Sequence, residues 1–159
     1  MTEERHVAPA ASSALGVGLA VASLVVDAAL AHARESAMPP MTVSVLDAAG
    51  RLVTMKREDG SSLMRPEIAF AKAWGSLAMG MGSRGLAERA AGFPAFIASM
   101  TTLASGDLVP VPGGVLIRDA AGTLLGAVGV SGANPDQDEN CALRAIEAAG
   151  LVAQTGSGH

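Results

Sequence analysis

At 159 residues the chain is long enough to bury one core and has the size of a single domain. Half of it is hydrophobic, yet aromatics make up only 3% and tyrosine is absent, so the core must be built from Ala, Val, Leu, Ile and Met, whose small or flexible side chains allow close helix approach. A net charge of −4, with no basic stripe and few stacking rings, argues against nucleic acid as a partner. One cysteine, Cys141, rules out an internal disulfide and a cysteine zinc site.

The first 11 residues read as a loose leader, residues 12–153 as one domain and residues 154–159 as a tail. Residues 15–26 are almost wholly apolar, and Ala31-His32-Ala33 has the look of a cleavage site. Ahead of that run, however, stand Glu3, Glu4 and only Arg5, where a signal peptide carries positive charge. The run is also too short to span a bilayer. It reads as a buried helix of a cytoplasmic protein without a membrane segment. Ser12 or Ser13 is expected to cap this helix, which runs to about Ala37. Its all-round apolarity implies burial on two sides, the second against another subunit. A charged fraction of only 16% points the same way, towards a homo-oligomer.

Pro39-Pro40 ends the helix. Strands at 41–47 and 51–57 flank Asp47-Ala48-Ala49-Gly50, and strands at 114–118 and 123–130 flank Asp119-Ala120-Ala121-Gly122. Each set reads as an antiparallel hairpin, its turn made by an Asp that accepts local backbone hydrogen bonds and a Gly free to take positive φ. The repeated turn is also open to a reading as an internal duplication. Between the hairpins, Pro66 opens a helix to about Met79, glycines at 80, 82 and 85 turn the chain, and shorter helices cover 86–91 and 94–102. Asn134, Pro135 and the acids Asp136, Asp138 and Glu139 give a full helix-start signature for a last helix to about Ala149. Cys141 on that helix reads as a small core residue. Helix, hairpin, helices, hairpin, helix suits an α/β (α+β) domain with an antiparallel sheet.

Four segments carry a resemblance. They are Val43-Ser44-Val45-Leu46-Asp47-Ala48-Ala49-Gly50-Arg51-Leu52-Val53 with Arg57-Glu58-Asp59-Gly60, the pair Lys72-Ala73, the run Pro112-Gly113-Gly114-Val115-Leu116-Ile117, and Gly126 through Gly132 with Gln137-Asp138-Glu139. In this order and spacing the chain resembles the GlcG/HbpS family over about residues 14–153, departing at Leu116, where the family often has proline. The resemblance implies a profilin-like domain, usually oligomeric. It is similar to haem-binding extracellular proteins, to the accessory domain of corrinoid adenosyltransferases and to uncharacterised proteins of catabolic operons. Without an export signal an extracellular haem-sensing role is not expected, and adenosyltransferase activity does not carry over.

Candidate site residues follow. His32 is the one histidine between leader and tail. Neutral imidazole is a common axial ligand of haem iron, and the resemblance places such a histidine on this first helix. His32 is otherwise a polar residue where the helix meets solvent. Lys72, among apolar neighbours, either extends its ammonium to solvent or is buried for a purpose; it could meet a carboxylate, or act as a base if desolvated. Arg57 suits bidentate carboxylate contact, or pairs with Glu58 or Asp59 to fix the turn. Gly113, Gly114, Ser131 and Gly132 offer backbone that a ligand could approach closely, or serve packing alone. The expected function is an oligomeric small-molecule-binding protein. Its ligand would be haem, a corrinoid or a carboxylated metabolite, with Lys72, Arg57 and Asp59 at the ligand and His32 at a metal. The other expectation is a cofactor-independent isomerase or hydrolase with Lys72 and Arg57 catalytic.

Overall fold

The structure, a computed structural model, describes residues 12–13 and 16–156. The expected leader and His159 lie outside the described residues. Two short strands, β1 (Ser12–Ser13) and β2 (Gly16–Val17), pair antiparallel ahead of α1 (Leu19–Glu35). This corrects the expected helix start: Ser12 and Ser13 are strand residues, and Gly18, in extended conformation, is the N-cap. The reason lies at Gly16, whose φ is 114° and whose Cβ position is filled by the Leu125 carbonyl. Close backbone packing there excludes helix, and an apolar run does not advertise it. At the other end, Ala37 takes φ of 51° before the two prolines, so the helix stops earlier than its apolar pattern suggests.

Both Asp-Ala-Ala-Gly turns work as their chemistry dictates. Asp47 Oδ1 accepts from the amides of Ala49 and Arg51 at 2.9 and 3.1 Å, and Asp119 Oδ1 from that of Thr123 at 2.8 Å. Gly50 and Gly122 have φ of 77° and 86°. The first turn joins β3 (Thr42–Asp47) to β4 (Leu52–Arg57). Three helices follow: α2 (Arg65–Met79), α3 (Ser83–Gly92) and α4 (Pro94–Leu103). The second turn joins β5 (Gly114–Arg118) to β6 (Leu124–Ser131). In α5 (Pro135–Ala148), Asn134 and Gln137 close a capping box. A last strand, β7 (Val152–Gln154), pairs with β5; its three residues carried no strand signal. The five-stranded sheet has the order β4-β3-β6-β5-β7, antiparallel throughout. The α/β class with helices on an antiparallel sheet is therefore as expected. Among the described residues no helix is long and apolar enough to cross a membrane.

Strand alternation divides the core by face. Val43, Val45, Val115, Ile117, Val128 and Val130 pack with α1 and α5, whereas Leu46, Leu116 and Ala127 pack with Ala73 of α2. On the second face α2 rests on the strands through backbone: a Cβ at Gly129 would run into the Ala69 carbonyl, and one at Gly114 into that of Lys72. A satellite core of Met81, Leu86, Ile97 and Leu108 lies under α3 and α4.

Two predictions follow from this packing. Ser44 Oγ is buried on the α2 side without a hydrogen-bond partner, and an unsatisfied buried hydroxyl costs about 1–3 kcal/mol. Ser44→Ala should raise stability in urea denaturation by about 1 kcal/mol; a loss of that size would mean the hydroxyl is satisfied. Cys141 is fully buried, its thiol donating to the Ala29 carbonyl at 3.2 Å. Burial, helped by the carboxylates of Asp138 and Glu58, pushes its pKa up to about 11. The unfolded chain therefore loses this proton first. Stability from the thiol should be intact below pH 9 and fall as pH rises towards about 11. Cys141→Ala should flatten that alkaline loss, and at neutral pH the native thiol should react with a thiol reagent only as the chain opens.

Candidate functional site

Lys72 sits on the sheet-facing side of α2 and is 2% exposed. Its Nζ donates to the Val130 carbonyl at 3.0 Å and to Asp138 Oδ2 at 2.9 Å. Asp138 belongs to the first turn of α5, on the opposite face of the sheet, and its Oδ1 accepts from the Ala133 amide at 2.9 Å. The crossing is possible because of Gly113. There φ is 126°, and a Cβ would lie 2.8 Å from Lys72 Nζ, 2.7 Å from the Val130 oxygen and 3.1 Å from Asp138 Cβ. Beside it, the Gly114 amide donates to Ser83 Oγ at 2.7 Å, and Ser76 Oγ donates to the Lys72 carbonyl at 2.7 Å. Burial lowers the Lys72 pKa and raises that of Asp138, and the hydrogen bond between them opposes both shifts. The ammonium is enclosed and bound by protein acceptors. A second tie reinforces the first: Arg84 of α3 meets both Glu139 oxygens at 2.9 and 3.0 Å and Asp136 Oδ1 at 2.6 Å.

The other expected ligand-binding residues fall around the same end of the sheet. Ser131 is buried and accepts from Arg65 Nη1 at 3.0 Å. Gly132 lets the chain lie against Pro40, whose carbonyl would be 2.6 Å from a Cβ there. Arg57, on β4, pairs in register with Thr42, which pairs in turn with Ser131. Its Nη1 donates to the Ser61 carbonyl at 3.1 Å, so it steadies the turn through backbone rather than through an acid. Asp59 is exposed, and Glu58 pairs instead with Arg34 at 2.8 Å. The structure thus gathers Lys72, Gly113 and Gly114 with Asp138, sets Ser131 and Gly132 next to them, and leaves Arg57 and Asp59 at the hairpin end. The sequence placed Asp138 only among the acids of a helix first turn and in the last of the four motifs, and gave no role to Arg65 or Arg84. The Asp138 acidic motif and the Lys-Ala motif were both visible, but not their contact.

His32 lies apart, on α1 where that helix meets α5. It is half-buried, with Nε2 3.3 Å from Asn140 Nδ2. Among the described residues no group of three or more His, Cys, Asp or Glu gathers to hold a metal ion, so a metal bound here would rest on this single imidazole and on ligands of its own.

Residues 17–147 match the family described as haem degrading protein HbpS-like. Solved structures of similar fold include the PduOC:heme complex, with 26% identity over 86% of this chain and 97% of that one, TM-score 0.77. Klebsiella pneumoniae protein ORFY is 22% identical over 91% and 97%, TM-score 0.77. HbpS is 24% identical over 96% and 99%, TM-score 0.73. A comparison with curated proteins returns no match.

The Lys72–Asp138 pair generates a prediction of its own. Removing one partner strands a buried charge, so Asp138→Leu alone should cost about 3–5 kcal/mol in chemical denaturation. The double variant Lys72→Met/Asp138→Leu should lose less than either single one. Additive losses would show that the two side chains do not act as a pair.

Proposed function

We propose that this chain, which belongs to the HbpS-like family, binds haem and holds the iron through His32. The observation that carries the reading is the His32 ring itself. It is half-buried on a helix junction, with Nε2 3.3 Å from an amide that another partner could replace. The likeness to a haem complex across 86% of the chain supports it. Bound haem would supply the ligand-exchange and redox chemistry of its iron. Of the chain's own residues, Asn140 would yield its place at Nε2 to the iron, and Arg144, one turn further along α5 and paired at the surface with Glu147 at 3.6 Å, is a cation on the same helix face for a propionate. A corrinoid, the other macrocycle implied by the resemblance, has no comparable support.

The isomerase or hydrolase reading has one observation in its favour, the lowered Lys72 pKa. Against it stands the enclosure of Nζ, which is bonded to Val130 and Asp138 and closed to a substrate. In the reading proposed here Lys72 is the anchor of the fold near the ligand-binding end, not a base. The protein is further proposed to work as a homo-oligomer in the cytoplasm. Leu19 and Leu24 support the first point as exposed apolar side chains of α1, 63% and 48% exposed, of the kind a second subunit covers.

Haem titration followed by visible absorption tests the central reading. Wild type should bind saturably with a shifted Soret band, and His32→Ala should weaken binding at least about tenfold, or about 1.4 kcal/mol. His32→Ala that binds like wild type would place the iron elsewhere, and no saturable binding by wild type would remove haem as the ligand.

A further inference from the structure

The geometry points to a second ligand site, an apolar cleft between α2 and α4 that takes a small uncharged aromatic molecule. The cleft has a volume of ≈ 260 Å³ and is lined by Trp74, Met79, Met100, Leu103 and Leu108 with two alanines. It lies on the outer side of α2, whereas His32 faces α5, so it stands independently of haem binding. No charged side chain lines it, and placing a charge there would carry a large desolvation cost. Its size, just under the usual range for ligand pockets of about 300–1,000 Å³, suits a ligand of one or two rings. Indole and thioether are the side chains that favour an aromatic ring, by stacking and by sulfur contact. A peptide strand is a poor fit, because its backbone N–H and C=O groups need acceptors and donors that this lining does not supply.

The helix over the cleft leaves most of its apolar side chains at the surface. Ile97 is the buried side chain of α4, while Phe93, Phe96 and Leu103 are 69%, 47% and 79% exposed. Directly after α4, Ser105 takes φ of 55° and Gly106 φ of 91°. There the Gly106 amide donates to the Thr101 carbonyl at 2.9 Å, so the positive φ values close the end of the helix. At the other end Phe93 serves as both the C-cap of α3 and the N-cap of α4. So α4 walls one side of the cleft, held by Ile97 and Met100 and by Thr101 Oγ1, which donates to the Leu108 carbonyl at 3.1 Å.

Trp74 is the sole tryptophan of the chain and lines both this cleft and the pocket beside Gly50, so its quenching is read against a variant of the cleft alone. Iodobenzene, a neutral one-ring contact quencher, is the probe. Wild type should show saturable quenching. Leu103→Glu, a change at an exposed position that leaves the core intact, should weaken it at least tenfold, and Leu63→Glu, exposed and outside the cleft, should behave as wild type. Linear quenching of equal slope in wild type and Leu103→Glu would mean random collision and overturn the site. Sedimentation alongside gives the other negative outcome. A wild-type oligomer that Leu103→Glu dissociates, without saturable quenching, would make this face an interface between copies and overturn the small-molecule site.

Discussion

The contact on which the molecule depends is the passage of Lys72 past Gly113 to Asp138. A lysine on one layer bonds an aspartate on the other, around the end of the β5–β6 ladder. A buried ion pair of this kind adds little net stability when complete, because desolvation offsets the attraction. Its value is in register. With Nζ fixed by the Val130 carbonyl and by Asp138, α2 cannot slide along the sheet without leaving a charge unpaired in the interior. The glycines beneath α2 act with it: Gly114 and Gly129 bring the helix backbone down onto the strands, and Gly113 leaves room for the ammonium. Cost in electrostatics and gain in geometry meet at one place.

From that lock the two sides of the molecule acquire different characters. The side with α1 and α5 is the well-packed valine core, and at its edge stands the only titratable imidazole of the described residues, held to Asn140. The side with α2 is thinner. It carries the unsatisfied Ser44, the Trp74 cleft and a fourth helix with only Ile97 fully buried. The proposed haem site lies on the firm side, where α5 is secured twice, by Lys72 and by Arg84.

Much of this was legible in the chain of letters. The Asp-Ala-Ala-Gly turns, the proline-led helices and the Asn134 cap are local chemistry, decided within four or five residues, and they appear where the residues require them. The sheet edges were harder. β7 is three residues long and pairs only because α5 returns the chain to β5. The start of α1 failed for a similar reason, since the constraint at Gly16 comes from Leu125, more than a hundred residues away in sequence. At the candidate site the residue types were readable but not their partners. Lys72 and Asp138 stand in separate motifs, each with a sufficient local reading, so nothing local shows that they meet. The glycines of those motifs suggested a ligand's approach, and the space they leave at Gly113 and Gly114 holds the lysine.

The most direct test of this account compares two glycine variants by chemical denaturation. Gly113 and Gly122 both have positive φ, at 126° and 86°, but a Cβ at Gly113 meets Lys72 Nζ and the Val130 oxygen, whereas one at Gly122 meets nothing within 4 Å. Gly122→Ala therefore isolates backbone strain, roughly 1–2 kcal/mol. Gly113→Ala should lose several kcal/mol more, as the lysine is pushed from its partners. Equal losses in the two variants would contradict the account, because they would show that the passage at Gly113 is not what holds the two layers in register.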